Sequence, residues 1–114
     1  MRDPNCIFCK IAAGDVSSEI VHQDDDVVAF KDANPRAPLH VLVIPREHIA
    51  SLVEAREPRL VGLLALAAAR VARDAGYGRQ GFRVVANSGP DAGQSVPHLH
   101  FHVLAGRPFA WPPG

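Results

Sequence analysis

The sequence places three histidines at alternate positions, His98, His100 and His102. The chain has six histidines, so half of them fall within five residues. In a β-strand, residues two apart point to the same face, and a strand over 97–106 would space the imidazoles at about 6–7 Å. Such a row suits either a metal ion bound by imidazole nitrogens or a neutral imidazole that attacks an electrophile.

A glycine-rich loop, SGPDAGQS over 88–95, directly precedes the histidines. Successive backbone N–H groups in such a loop can form a concave site that suits an anion such as phosphate. The loop lacks the G-x-x-x-x-G-K-[ST] pattern, so it is not a Walker loop. Its position beside three imidazoles favours nucleophilic attack on a phosphate over a metal ion bound by all three histidines.

Cys6 and Cys9 are the only cysteines, and they form one C-x-x-C. In a reducing compartment this spacing indicates a metal or redox site more than a structural disulfide. No thioredoxin-like pattern surrounds the pair, which favours metal binding. Two ligands do not complete a tetrahedral zinc site, because such a site needs four.

Composition and charge limit the class of protein. A chain of 114 residues with 47% apolar residues predicts one globular domain over 1–114. Twelve basic and twelve acidic residues give no net charge, which argues against nucleic-acid binding over a broad basic surface. The polar start and the short apolar runs predict a cytoplasmic protein without a membrane segment.

The elements that must position these residues are strands that precede and follow one long helix along the chain. A brief helix is expected at FCKIAAGD, ending at Gly14, and a long helix over 58–75. Ser51 and Glu54 could form a capping box for a short turn between 46 and 55. Strands are expected over 19–22, 27–31, 39–45, 82–87 and 97–106, the third of them covered on both faces. Short connections then predict an α+β fold with an antiparallel sheet of about five strands.

The long helix is apolar almost all round, although a helix in a small domain usually has one solvated face. Gly62, Ala65 and Ala69 recur at three- and four-residue spacing, so two copies could approach closely. This pattern favours a homodimer built on the helix and the neighbouring strand. A well-covered core helix is the alternative.

The motif N-x-G-x-x-A-G-Q-x-V-x-H-x-H-x-H stands at 87–102. Together with CIFCKI, AFKDANPRAPLHVLVIPREHI and WPPG, it resembles the histidine triad (HIT) family, and within it the HINT-like nucleotide-binding branch. The resemblance covers essentially the whole chain and implies the HIT fold. The sequence departs from the family at Pro97, where relatives often carry an aromatic residue, and at Ala33, where a larger apolar residue is common.

The resemblance implies a nucleotidyl-histidine intermediate on His100, and His98, His102, His40 and Ser95 as its catalytic partners. The implied ligand is a purine nucleotide such as AMP, and the implied reaction is hydrolysis of the P–N bond in AMP–amine conjugates. Hydrolysis of dinucleoside polyphosphates, nucleotidyl transfer and non-catalytic nucleotide binding by a regulatory dimer are the alternatives. The implied nucleotide contacts are Asp32 (on the ribose), Ala33, Asn87, Gly93, Gln94, Ser95, Val96, His100, His102 and Trp111.

The resemblance also gives the C-x-x-C a role. The branch of the family that carries this motif implies one structural zinc per chain, held by Cys6, Cys9, His48 and His98. Such a site would join the N-terminal helix to the histidine strand.

Overall fold

A computed structural model describes residues 2–114 as an antiparallel sheet with a helix on each face. The strand order is β1-β2-β3-β5-β4. This arrangement confirms the predicted α+β class with one long and one short helix. No helix within the described residues is both long and apolar enough to cross a bilayer. The elements are α1 (Ile7–Ala13), β1 (Ile20–Gln23), β2 (Val27–Lys31), β3 (Leu39–Pro45), α2 (Pro58–Asp74), β4 (Phe82–Val85) and β5 (Phe101–Ala105).

The central strand β3 is covered on both faces, as its continuous apolar run predicts. Val41 and Val43 are fully buried on the face that α2 covers. Leu42 and Ile44 point the other way and pack with Phe8 of α1. The sheet therefore separates a packed α2 layer from the α1 layer, where the predicted catalytic histidines lie.

Glycine and proline set the limits of the two helices. Gly14 ends α1 with φ 81°, a left-handed conformation that glycine adopts without steric cost. Pro58 lies in the first turn of α2, where its missing N–H is not needed. The helix ends at Asp74, one residue before the predicted end, and Gly76 follows with φ 92°.

The predicted strand over 97–106 is wrong at its N-terminal end, because β5 begins at Phe101. His98 and His100 therefore precede the strand, and only His102 lies in it. The His98 N–H bonds to the Val96 carbonyl at 2.8 Å. Pro97 has no N–H to donate, and the backbone turns there instead of continuing the sheet ladder.

The predicted capping box is also wrong. Residues 52–54 form a single 3-10 turn, and the Ser51 side chain makes no capping hydrogen bond. The Glu54 N–H instead donates to the Ser51 carbonyl at 3.1 Å. A turn this short is closed by its own backbone bond, so a reciprocal side-chain cap is not required.

Candidate active site and metal centre

A pocket of about 350 Å³ opens on the α1 face of the sheet. Ile7, Phe8 and Ile11 supply its α1 wall, and Phe30 and Leu42 supply an apolar floor from β2 and β3. An apolar cleft with polar groups gathered on one side suits a ligand with a flat ring and a charged group. The predicted site residues that line this pocket are Asp32, Ala33, Ser95, Val96, His100 and His102.

The apolar lining residues of α1, β2 and β3 are absent from the sequence predictions, although the strand period could have identified two of them. Phe30 lies two residues before Asp32, and Leu42 lies two residues after His40, so each pair shares a face of the sheet. Phe30 and Leu42 are also direct partners in the β2–β3 register. Only the folded chain shows that α1 closes the other side.

The Gln94 side chain hydrogen-bonds to the backbone on both sides of the 88–95 loop. Its side-chain oxygen accepts from the Gly89 N–H at 3.0 Å, and its amide nitrogen donates to the carbonyls of Ala50 at 2.7 Å and Val96 at 3.0 Å. The backbone N–H groups of Gly93 and Gln94 donate within the loop as well. These bonds fix the shape of the 88–95 loop, and these donors are not free to face an anion.

Two further predicted contacts lie away from the pocket within one chain. Asn87 is half-buried just beyond β4 and is not among the lining residues. Trp111 is 82% exposed in the C-terminal tail. The contacts predicted for Asn87, Gly93, Gln94 and Trp111 therefore stay predictions.

The His100 ring is held in one tautomer. Its Nδ1 lies 2.7 Å from the backbone carbonyl oxygen of His98, and a carbonyl can only accept, so Nδ1 carries the proton. A neutral ring then has its lone pair on Nε2. Phe8 packs against the ring edge-to-face, with centroids 5.2 Å apart, and holds its orientation. A fixed neutral imidazole with a free lone pair is a nucleophile.

His40 and His102 form a hydrogen-bonded pair beside it. The Arg36 backbone N–H donates to His40 Nδ1 at 2.9 Å, so the neutral His40 ring carries its proton on Nε2. That Nε2 lies 2.9 Å from His102 Nδ1 and 3.4 Å from Asp32 Oδ2. Since His102 accepts at Nδ1, its own proton is on Nε2. The result is a relay in which each of the two imidazoles accepts a hydrogen bond at Nδ1 and carries its proton on Nε2.

Burial keeps this pair of imidazoles neutral. It lowers the pKa of His102 to about 4, and His100 and His40 add to this effect, whereas Asp32 opposes it. Burial also lowers the pKa of His40, again against the carboxylate of Asp32. Both rings are therefore unprotonated at one nitrogen at neutral pH, as the hydrogen bonds of the relay require.

A second cluster joins α1 to the residues before β5. Cys6 and Cys9 are buried and free of disulfide bonds. His98 Nδ1 lies 3.3 Å from Cys6 Sγ and 3.5 Å from Cys9 Sγ, and His48 Nδ1 lies 3.4 Å from Cys9 Sγ. The four donor atoms all lie within 4.8 Å of one another. The structure thus brings together the four residues that the sequence predicted as metal ligands.

The donor set fits zinc. Zinc–sulfur bonds of about 2.3 Å and zinc–nitrogen bonds of about 2.0 Å at a tetrahedral angle place sulfur and nitrogen about 3.5 Å apart. The observed sulfur–nitrogen distances are 3.3–3.5 Å. His98 Nε2 donates to the Pro45 carbonyl at 2.9 Å, which leaves the Nδ1 lone pair facing the sulfurs. Burial lowers the pKa of His98 to about 4, so the ring is neutral and able to bind a metal ion.

A metal ion shared by all three histidines of the triad does not fit this geometry. The His98 lone pair is directed to the cysteines, and the Nδ1 proton of His100 is directed to the His98 carbonyl. His102 Nδ1 already accepts a hydrogen bond from His40. The alternating residues thus serve two separate sites.

Comparisons with a family model, with protein sequences and with solved structures all find proteins similar to this chain. The family model of the HIT domain matches residues 13–109. A HIT-like protein of Synechocystis is 50% identical over 95% of this chain and 96% of its own length. A 14 kDa zinc-binding protein of Zea mays is 42% identical over 100% of this chain and 91% of its own length. The crystal structure of a HIT family hydrolase from Legionella pneumophila superimposes with a TM-score of 0.94 at 39% identity, over 96% of this chain and 100% of that one.

Proposed function

Because the chain belongs to the histidine triad (HIT) family, we propose that it hydrolyses the P–N bond of purine nucleoside phosphoramidates through a nucleotidyl intermediate on His100. The observation that carries the proposal is the hydrogen bond from His100 Nδ1 to the His98 carbonyl, which leaves Nε2 as the nucleophile. The pocket beside it has apolar walls for a purine ring and the Asp32 carboxylate for ribose hydroxyls.

The reaction has two displacements at phosphorus. His100 Nε2 attacks the α-phosphorus, the P–N bond breaks, and the leaving amine takes up a proton. That proton comes from solvent water, and the Nε2–H of His102, held in place by the hydrogen bond from His40, can stabilise the phosphate oxygens. Water then attacks the nucleotidyl-imidazole, which releases the nucleoside monophosphate and the free ring. Ser95 lines the pocket and is the proposed hydrogen-bond partner of the leaving group.

Hydrolysis of adenosine 5′-phosphoramidate, an AMP–lysine conjugate and a dinucleoside tetraphosphate, measured side by side, tests the substrate class. We expect kcat/KM for the two P–N substrates to exceed that for the dinucleotide by at least about tenfold. A preference for the dinucleotide would favour the polyphosphate hydrolase alternative. Nucleotide binding without turnover of any of the three would favour the non-catalytic alternative.

The Cys6, Cys9, His48 and His98 cluster is proposed to hold one structural zinc per chain. Its support is the fit of the four donors and the similarity to a protein named for zinc binding. Backbone N–H groups of Asp3 and Cys9 lie 3.4 Å from Cys9 Sγ and Cys6 Sγ respectively, where they would stabilise thiolates. When bound, zinc would tie α1 to the residues before β5 and so hold the α1 wall of the pocket in place.

A two-fold homodimer is proposed on α2 and β4. Gly62 and Ala65 are exposed, Leu66 is 70% exposed, and β4 is an edge strand with an unpaired side. Such a dimer would give Trp111 a route to the partner's pocket. Ala65→Arg is expected to give monomers or unfolded protein, since it forces a charge into a dry contact. A wild-type mass near 12 kDa in solution at micromolar concentration would contradict the dimer.

A further inference from the structure

One irregular segment, residues 45–50, contacts both the metal cluster, formed by Cys6, Cys9, His48 and His98, and the His98–Leu99 peptide, which orients His100. It begins at the last residue of β3 and has no helix or strand pairing beyond Pro45. The Pro45 carbonyl accepts from His98 Nε2 at 2.9 Å. Three residues later, His48 Nδ1 faces Cys9 Sγ at 3.4 Å. The segment therefore holds the His98 ring from one side and supplies a metal ligand from the other.

The same segment holds the backbone around His98 and the 88–95 loop. The Ile49 carbonyl accepts from the Leu99 N–H at 2.6 Å. The Ala50 carbonyl accepts from the side-chain amide of Gln94 at 2.7 Å. The His98–Leu99 peptide supplies the carbonyl that fixes the His100 tautomer, and it lies outside β5, so no sheet ladder holds it. Its placement depends on contacts with residues 45–50.

We propose that His48 is a positioning residue for His100, which acts by binding the metal ion and thereby fixing residues 48–50. With His48 bound, the Ile49 carbonyl holds the His98–Leu99 peptide in the position from which its oxygen accepts the His100 Nδ1 proton. With His48 released, residues 48–50 move, the peptide is free to rotate, and the two neutral tautomers of His100 become mixed. The tautomer with its proton on Nε2 has its lone pair on Nδ1, which faces away from the pocket, so this tautomer cannot attack a ligand there.

Phe8 provides a second connection between the same two sites. It lies between Cys6 and Cys9 on α1, and its ring contacts both His98 and His100, with centroids 5.9 and 5.2 Å away. Cys6 is the N-cap of α1, so its position sets where the helix begins. Loss of the metal ion therefore relaxes the ring that packs on the nucleophile as well as the carbonyl that orients it.

Residue 46 explains why the chain should stay folded without the metal ion. The Arg46 guanidinium donates to the carbonyls of Asp24 and Ala12 at 2.7 Å each, and the Arg46 backbone N–H donates to the Asp26 carbonyl at 2.9 Å. None of these contacts involves a metal ligand. The start of the segment thus stays anchored to α1 and to the β1–β2 turn, so that within residues 45–50 only 48–50 loosen.

The test compares four forms of the full chain with ¹⁵N-labelled histidine: zinc-loaded wild type, chelated wild type, His48→Ala and His48→Cys. The last variant keeps four zinc ligands and is the matched control. The ring nitrogen shifts of His100 report its tautomer, and those of the remote His22 serve as the internal reference. Zinc content and far-UV circular dichroism are measured on each sample.

We expect one His100 tautomer, with the proton on Nδ1, in zinc-loaded wild type and in His48→Cys. Chelation and His48→Ala should give a mixture of tautomers and loss of the slowly exchanging Nδ1 proton, with the His22 signals unchanged. An unchanged His100 tautomer in folded metal-free protein would overturn the proposal. Unfolding of both metal-free forms would also overturn it, because the metal ion would then act on the whole fold.

The kinetic consequence rests on the proposed function. Metal-free forms should lose about 10–100-fold in kcat, and His48→Cys should recover it, because small errors in nucleophile placement are costly. If no form turns over a phosphoramidate, the proposed function fails, whereas the tautomer measurement still decides the role of His48.

Discussion

The metal cluster and the histidine relay are made of similar side chains, yet they are organised in opposite ways. In the cluster of Cys6, Cys9, His48 and His98, the donor atoms converge, and the outer nitrogen of His98 carries the proton. In the relay, hydrogen-bond donors and acceptors alternate from Arg36 through His40 to His102. Converging lone pairs suit a cation, whereas a chain of donors and acceptors that ends in an N–H suits hydrogen bonding to an anion such as phosphate.

His98 belongs to both regions and would serve both of the proposed chemistries. Its ring takes part in the metal cluster, and its backbone carbonyl orients His100. The two functions use different atoms, so they do not compete. The alternation of histidines along the chain therefore does not mean that the three rings do the same thing.

The largest expected effect is the loss of turnover when the proposed nucleophile is removed. His100→Ala should reduce kcat by about 10⁴-fold or more, because the bond-forming atom is lost. Nucleotide affinity should change by less than about tenfold, or about 1.4 kcal/mol, since the walls of the pocket remain. Steady-state kinetics and calorimetric binding check both, with His22→Ala as a surface-histidine control. Wild-type activity in His100→Ala would contradict the mechanism.

Among the variants proposed here, removal of a ligand from the metal cluster should lower thermal stability most. Cys9→Ser removes a buried ligand and is expected to lower Tm by about 10 °C, since metal binding contributes to folding free energy. Elemental analysis should find about one zinc per chain in metal-replete wild type and much less in the variant. Metal-replete wild type without zinc would contradict the assignment of these four ligands.

Changing the carboxylate beside the relay should weaken binding and leave the metal cluster intact. Asp32→Asn removes the ribose acceptor and should raise the nucleotide Kd by about tenfold. Zinc content should be unchanged. The variant should also lower the pKa values of His40 and His102 further, because Asp32 opposes their decrease. An unchanged Kd, measured by calorimetry, would show that Asp32 does not contact the nucleotide.

The smallest expected effect is a dependence of stability on pH. The folded pKa of His102 is about 4, below its ordinary value of about 6.5. As pH falls from 6.5 towards 4, the unfolded chain binds a proton that the native chain does not, so the free energy of unfolding decreases; above 6.5 this contribution is constant. Urea midpoints should therefore fall more between pH 7 and 5 in wild type than in His102→Gln. Equal slopes would contradict the buried neutral assignment.

Much of the fold followed from local signals in the sequence. Gly14, Pro58 and Gly76 mark the helix limits, and the β-branched run of β3 marks a strand covered on both faces. The start of β5 did not follow from local signals. The alternation of histidines predicts a strand from 97, but the Leu99 N–H pairs with Ile49, a partner that only tertiary contact determines.

The part of the candidate site that depends on residue types and motifs could be predicted from the sequence. Cys6, Cys9, His48 and His98 come together as the resemblance implied. The engagement of the Gln94 amide with the loop and with Ala50 was not predictable, because it depends on how residues 45–50 approach the 88–95 loop. The α1 wall of the pocket likewise depends on the packing of α1 against the sheet.

The most direct test of the central claim is the site of covalent attachment. Wild type and His22→Ala, mixed with a purine nucleoside phosphoramidate and quenched within milliseconds, should carry one added nucleotidyl group by intact mass. Peptide mapping under neutral conditions should place it on His100, and His100→Ala should carry none. A nucleotidyl group on another residue, or rapid turnover without any covalent adduct, would contradict the account.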